Sequence, residues 1–202
     1  MEMDKEIKLN EYEKYLESDN WFNYAGFYDH IINEYAFETF VEVGVWKGHS
    51  VIHLAKGLKD RSNAKVYAVD LWEETYKFDG VNHGSKELHA QRKYLYEIYN
   101  TNVVNSNVRD MINDIKECSW EAARHFDDES IDFVFIDAGH DYDEVIKDIE
   151  AWLPKIKQSG IISGHDYHNT KCGVREAVDY KFSKFPIYSE GICWMVHKKD
   201  IK

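Results

Sequence analysis

The sequence predicts a doubly wound α/β fold built on a mostly parallel sheet. Short β-rich runs alternate with stretches whose apolar residues recur at helical spacing. Several of those runs end in glycine or an acid, as in "FETFVEVG", "AKVYAVD" and "IDFVFID". The C-terminal stretch "FPIYSEGICWMVHK" reads as two strands around Ser189–Gly191, and such a hairpin makes the last strand antiparallel.

Each element has its own signal. Residues 1–36 read as an N-terminal helical segment, with Leu9, Tyr12 and Leu16, then Phe27, Ile31 and Ile32, at helical spacing. Residues 37–202 form the main domain. Its first strand, 37–44, is followed by a helix with Val51, Leu54, Ala55 and Leu58 on one face. The second strand is 64–70. Residues 71–86, "LWEETYKFDGVNHGSK", are polar and aromatic and too long for an ordinary connector, which suggests a lid or binding loop. A helix over 86–100 and a strand over 111–117 follow, then a strongly apolar strand over 131–137. Val145, Ile146, Ile149, Trp152 and Leu153 form a helical stripe that Pro154 ends. A strand over 160–164 and a helix with Val174, Ala177, Val178 and Phe182 inward complete the core before the hairpin.

Composition narrows the partners. The chain has 202 residues, 44% of them hydrophobic, and only two prolines, so no Pro-rich linker divides it. Its formal net charge is −12 and its basic residues form no dense patch, which argues against nucleic acid and anionic membranes. Cys118, Cys172 and Cys193 are odd in number and widely spaced, so neither a zinc knuckle nor a disulfide framework is indicated. Free thiols, a charged N-terminus and the lack of a membrane-length apolar run point to the cytoplasm. Association with further copies of the chain is compatible with all of this.

The first β-α corner, "VEVGVWKGHS", carries Glu42, Gly44 and Gly48 rather than the G-x-G-x-x-G pattern of a dinucleotide site. An acid inside that turn repels a diphosphate and suits a ligand with an ammonium group. Asp70 closes the second strand, where a carboxylate can hold both hydroxyls of a ribose. A cationic, phosphate-free nucleoside describes S-adenosylmethionine. The duller alternative is that Glu42 and Asp70 are polar strand ends.

"FVEVGVWKGHS", "VYAVDLW", "DFVFIDAGHDYDEVIKDIEAWLPKIKQSGIISGHDY" and "GVREAVDYKF" resemble, in order, the motifs of class I S-adenosylmethionine-dependent methyltransferases. The similarity is to the compact branch of sugar and small-molecule O-methyltransferases and runs from about residue 37 to the C-terminus. It implies a seven-stranded sheet of order 3-2-1-4-5-7-6 with strand seven antiparallel. It also implies that Glu42, Gly44, Val45, Gly48 and Ser50 line the methionine end of the cofactor, with Asp70 on the ribose and Leu71 or Trp72 over the adenine. "ECSWEAA" is similar to a family segment that supplies a serine near the adenine, here Ser119.

Two near-identical hexapeptides, "AGHDYD" and "SGHDYH", follow the fourth and fifth strands. In a doubly wound sheet these strand ends are neighbours about 5 Å apart, so Asp137, His165 and Asp166 converge, with His140 close by. Carboxylates this close need a cation or proton between them. The metal-dependent O-methyltransferases that the chain resembles carry acids or amides at the positions of Asp137, His165 and Asp166. That implies a divalent metal, Mg²⁺ or else Mn²⁺, with His165 departing from the usual oxygen ligand. Related enzymes place a basic residue three after the first metal-binding acid, which makes His140 the candidate base, with His165 as third ligand or alternative base. The implied substrate is a small molecule with a hydroxyl acceptor.

Two other readings remain at the sequence level. A nicotinamide oxidoreductase or epimerase shares the sheet, and Tyr167/Lys171 and Tyr180/Lys184 have the Tyr-x-x-x-Lys spacing of short-chain dehydrogenases. A catalytically inactive cofactor-binding module would keep the fold without turnover. The segment "WFNYAGFY" (21–28) either closes over an acceptor or joins the core.

Overall fold

The computed structural model describes residues 13–17, 21–72 and 91–201. Most of the sequence-predicted 71–86 loop, and Leu9 and Tyr12, lie outside the described residues. The strands are β1 (Thr39–Val43), β2 (Lys65–Val69), β3 (Ile112–Ile115), β4 (Ile131–Ile136), β5 (Ile156–Gly164), β6 (Tyr188–Glu190) and β7 (Cys193–His197). They form one sheet of order β3-β2-β1-β4-β5-β7-β6. β1, β2, β3, β4 and β5 pair in parallel, while β7 runs antiparallel to β5 and to β6. This is the predicted order, antiparallel end included.

Helices cover both faces: α1 (Ala25–Glu34), α2 (His49–Gly57) and α3 (Leu95–Asn105) on one, α4 (Ser119–Ala122), α5 (Tyr142–Trp152) and α6 (Val174–Lys181) on the other. Alternation along the central strands feeds both layers. Phe40, Phe133 and Phe135 pack with Tyr28 of α1, Leu54 of α2 and Tyr99 of α3. Val41, Val43, Val134 and Ile136 pack with Ala122 of α4, Trp152 of α5 and Val178 of α6. α1 is thus part of the main core, with Phe27, Tyr28, Ile31 and Ile32 all buried. No helix among the described residues is long and apolar enough to cross a membrane.

The strand order reverses between β1 and β4, which opens a crevice beyond their C-terminal ends. Backbone bonding carries each strand one residue past its end. Asp70 N–H donates to Ile115 O at 3.2 Å, Gly44 to Val69 O at 2.8 Å, Asp137 to Val43 O at 2.7 Å and His165 to Ile136 O at 3.1 Å. These four bonds set Asp70, Gly44, Asp137 and His165 in a row along the rim of the crevice.

Candidate active site

Gly44 shapes the corner. Its φ is +86°, and a Cβ there would lie 2.0 Å from the Asp137 carbonyl oxygen, so only glycine lets β1 and β4 end this close together. Gly48 also has a φ of +86° and precedes the first turn of α2. The turn between them is held by Asp70. Its Oδ2 accepts from the backbone N–H groups of Val45 and Trp46, each at 2.9 Å, and its Oδ1 from Trp72 N–H at 2.8 Å. Burial still leaves the Asp70 carboxyl above its ordinary range despite these donors.

Glu42 lies beneath this corner with no exposure. Tyr28 O–H donates to its Oε2 at 2.8 Å and the Ser50 hydroxyl to its Oε1. Burial outweighs those two bonds and pushes the carboxyl up to about 8, so it holds a proton at neutral pH. It therefore supports the corner from behind, and Ser50 stands between it and the cleft. Trp72 is likewise turned inward, 3% exposed and stacked on Tyr99 with ring centroids 4.5 Å apart. Of the pair suggested for the adenine, Leu71 is the one that lines the cavity.

Two cavities flank Gly44. The smaller, about 150 Å³, runs past Asp70, Leu71 and Ser119. The wider, about 690 Å³, runs past Tyr24, Ser50, His165 and Asp166. Asp137 and His140 line both, so the two spaces meet at these side chains. Trp21 and Trp46 also border both and stack on each other at 5.2 Å. Of the segment 21–28, Phe27 and Tyr28 are core, while Trp21 and Tyr24 face the cleft.

The four residues of the two hexapeptides converge as the strand pairing requires. His140 Nε2 lies 3.3 Å from Asp137 Oδ1 and 3.3 Å from Asp166 Oδ2. His165 Nδ1 lies 3.6 Å and 3.4 Å from the same two oxygens. Burial raises the Asp137 carboxyl, but the bonds and charge of His140 and His165 outweigh it and leave it well below the carboxylate range. Asp166 is lowered in the same way, with His165 as its main partner. Burial lowers the imidazoles, yet the two acids reverse this, raising His140 and bringing His165 to about 10. The His165 imidazole thus carries a positive charge at neutral pH beside the two carboxylates, and His140 is shifted in the same direction.

This donor set fits a divalent cation. One ligand atom each from Asp137, His140 and Asp166 lies within 4.8 Å of the others, and a cation there would replace the imidazolium charge. This compact trio contains His140, while His165 approaches the same oxygens from the other side, against Tyr24. Asp166 has a φ of +59°, unusual for a non-glycine residue, and Asn169 Nδ2 donates to its Oδ1 at 3.1 Å.

The dehydrogenase spacings find no such support. The Tyr167 hydroxyl donates to Asp179 at 2.6 Å and burial helps push it up to about 12, the wrong direction for a base. Tyr180 is 67% exposed on α6.

A family model for a methyltransferase domain matches residues 41–167, spanning the corner, the first hexapeptide and all but the last residue of the second. The chain belongs to that methyltransferase family. Solved structures similar to this methyltransferase include an O-methyltransferase from Bacillus cereus in complex with SAH, at 18% identity and a TM-score of 0.63, covering 96% of this chain and 89% of that one. The O-methyltransferase NovP is similar at 15% identity and a TM-score of 0.63, covering 86% and 76%. CalS11, a calicheamicin methyltransferase, is similar at 13% identity and a TM-score of 0.61, covering 96% and 85%. At these identities the likeness is one of fold. No curated protein matches the methyltransferase in sequence.

Tyr24 was named only within the segment 21–28, and Asp148 escaped the sequence reading. The Tyr24 hydroxyl approaches Asp137 Oδ2 at 3.4 Å, and its ring packs on His165 with centroids 4.6 Å apart. Asp148 lines the smaller cavity from α5. An acid interrupting the buried stripe of Val145, Ile149 and Trp152 was a signal that could have found the second.

Proposed function

We propose that this methyltransferase moves the methyl group of S-adenosylmethionine to a hydroxyl oxygen of a small molecule, such as a sugar, with a divalent cation assisting. The observation that carries this reading is the cluster of two carboxylates and two imidazoles at the junction of two cavities. One cavity suits a nucleoside, and the other suits an acceptor.

When bound, S-adenosylmethionine supplies a methyl group already joined to a good leaving group. Gly44 and Asp137 border both cavities, where its methionine end would lie, and Asp70 lies where the ribose would rest. The acids at this rim favour a cation over a phosphate. A divalent cation, when bound, makes a nearby hydroxyl more acidic. Asp137, His165 and Asp166 would hold it, Mg²⁺ or Mn²⁺, and His140 would take the acceptor's proton. With its proton on His140, the acceptor oxygen would take the methyl group, the carbon–sulfur bond breaking with its electron pair left on sulfur. Tyr24, Trp21 and Trp46 wall the acceptor side and help align it. The compact trio of Asp137, His140 and Asp166 favours a second version, in which the two histidines exchange roles.

Transfer of a labelled methyl group to a panel of sugars and vicinal diols tests this. The reaction should stop on chelation and resume with Mg²⁺ or Mn²⁺. His140→Ala should lower kcat by about 10²–10⁴-fold and leave metal affinity intact, whereas His165→Ala should weaken metal binding. The opposite pair of effects would exchange their roles. Transfer unaffected by chelation would overturn the metal assignment.

A further inference from the structure

The wall of the smaller cavity holds a carboxylate that the reaction above does not use. Asp148 sits within the apolar stripe of α5 and is 1% exposed. A buried acid is costly unless donors meet its oxygens. Ser119 supplies one: its hydroxyl accepts from Trp152 Nε1 at 3.1 Å and bonds Asp148 in turn. Among the described residues Asp148 Oδ1 has no hydrogen-bond partner. Yet the residue lines the cavity beside Leu71, Cys118 and Ser119. An acceptor left over at a cavity wall calls for a ligand that brings an N–H group.

We propose that Asp148 reads the base of the methyl donor, accepting a hydrogen bond from the exocyclic amine of adenine and rejecting bases with a carbonyl there. This rests on the S-adenosylmethionine reading. With the sulfonium beside Gly44 and Asp137 and the ribose at Asp70, the base falls at the far end of the cavity, by Leu71, Ser119 and Asp148. Burial, against the bond from Ser119, pushes the Asp148 carboxyl up to about 7. With Ser119 bonded to the other oxygen, Oδ1 is the acceptor left to face the base. A carbonyl on the base would instead face an acceptor and leave it unmet.

Calorimetric titration with S-adenosylhomocysteine and with S-inosylhomocysteine, whose base carries a carbonyl in place of the amine, tests the assignment. The wild type should prefer the adenine compound by about 100-fold or more. Asp148→Asn should also narrow that preference, because its amide can turn a donor toward a carbonyl. Asp148→Leu fills the volume with an apolar group suited to the stripe and should reduce the preference to less than about fivefold. If Asp148 merely fixed Ser119, its variants would weaken both compounds alike and leave the ratio unchanged, which would overturn the assignment. Equal affinities in the wild type would overturn it too, whether or not either variant folds. A wild type that binds neither compound would overturn the donor reading and this assignment with it.

Discussion

Glu42 shows how far a single residue could be read. Its place in the first corner was legible, but the way its side chain points was not. β1 is buried on both faces, so alternation gave no inside or outside to choose between. Facing α1 and α2, Glu42 is met by Tyr28 and Ser50 and titrates near 8. Its folded value lies above the unfolded one, so the folded protein binds the extra proton. Its stability contribution is therefore whole below about pH 4.5 and is lost as pH rises toward about 8. Glu42→Gln, which can still donate to and accept from the two hydroxyls, should remove that slope. Its advantage over the wild type in unfolding free energy, read by chemical denaturation, should grow between pH 5 and 8, by up to about 1.4 kcal/mol per pH unit. A constant difference across that range would show that Glu42 does not titrate there. The convergence of Asp137, His140, His165 and Asp166 was also legible, because it follows from which strands are neighbours.

At the scale of elements, the strands were found but some limits were missed. β5 begins at Ile156, earlier than the apolar run 160–164. Between buried Ile156 and Gly160, residues 157–159 leave the core where polar side chains suffice, and the register with β4 shifts there. α3 continues to Asn105 through residues of low helix propensity. Buried Val103 and the bond from Asn102 Nδ2 to Lys47 O, 3.0 Å, hold that end in place. The meeting of β1 and β4 at Gly44 yields an element-scale prediction. Gly44→Ala should cost more than about 3 kcal/mol in chemical denaturation, because its Cβ meets backbone that cannot move aside. Gly191→Ala, with a φ of +59° but nothing within 4 Å, should cost only about 1 kcal/mol. Equal losses would mean that dihedral strain, and not the close approach of two strands, fixes the corner.

For the whole molecule, the alternation of strands and helices gave the doubly wound class, and the closing hairpin gave its antiparallel end. The complete strand order came through the family resemblance, since periodicity alone does not say which strands are neighbours. What composition could not supply was the division of the crevice into two cavities, which depends on side chains from β1, β2, β4, β5, α5 and the segment before α1. That division suits the proposed meeting of a charged nucleoside with an acceptor. Titration of the intact protein with S-adenosylhomocysteine and, separately, with NAD addresses this most directly. One site per chain for S-adenosylhomocysteine and no binding of NAD is the predicted result. Binding of NAD with no response to S-adenosylhomocysteine would contradict it.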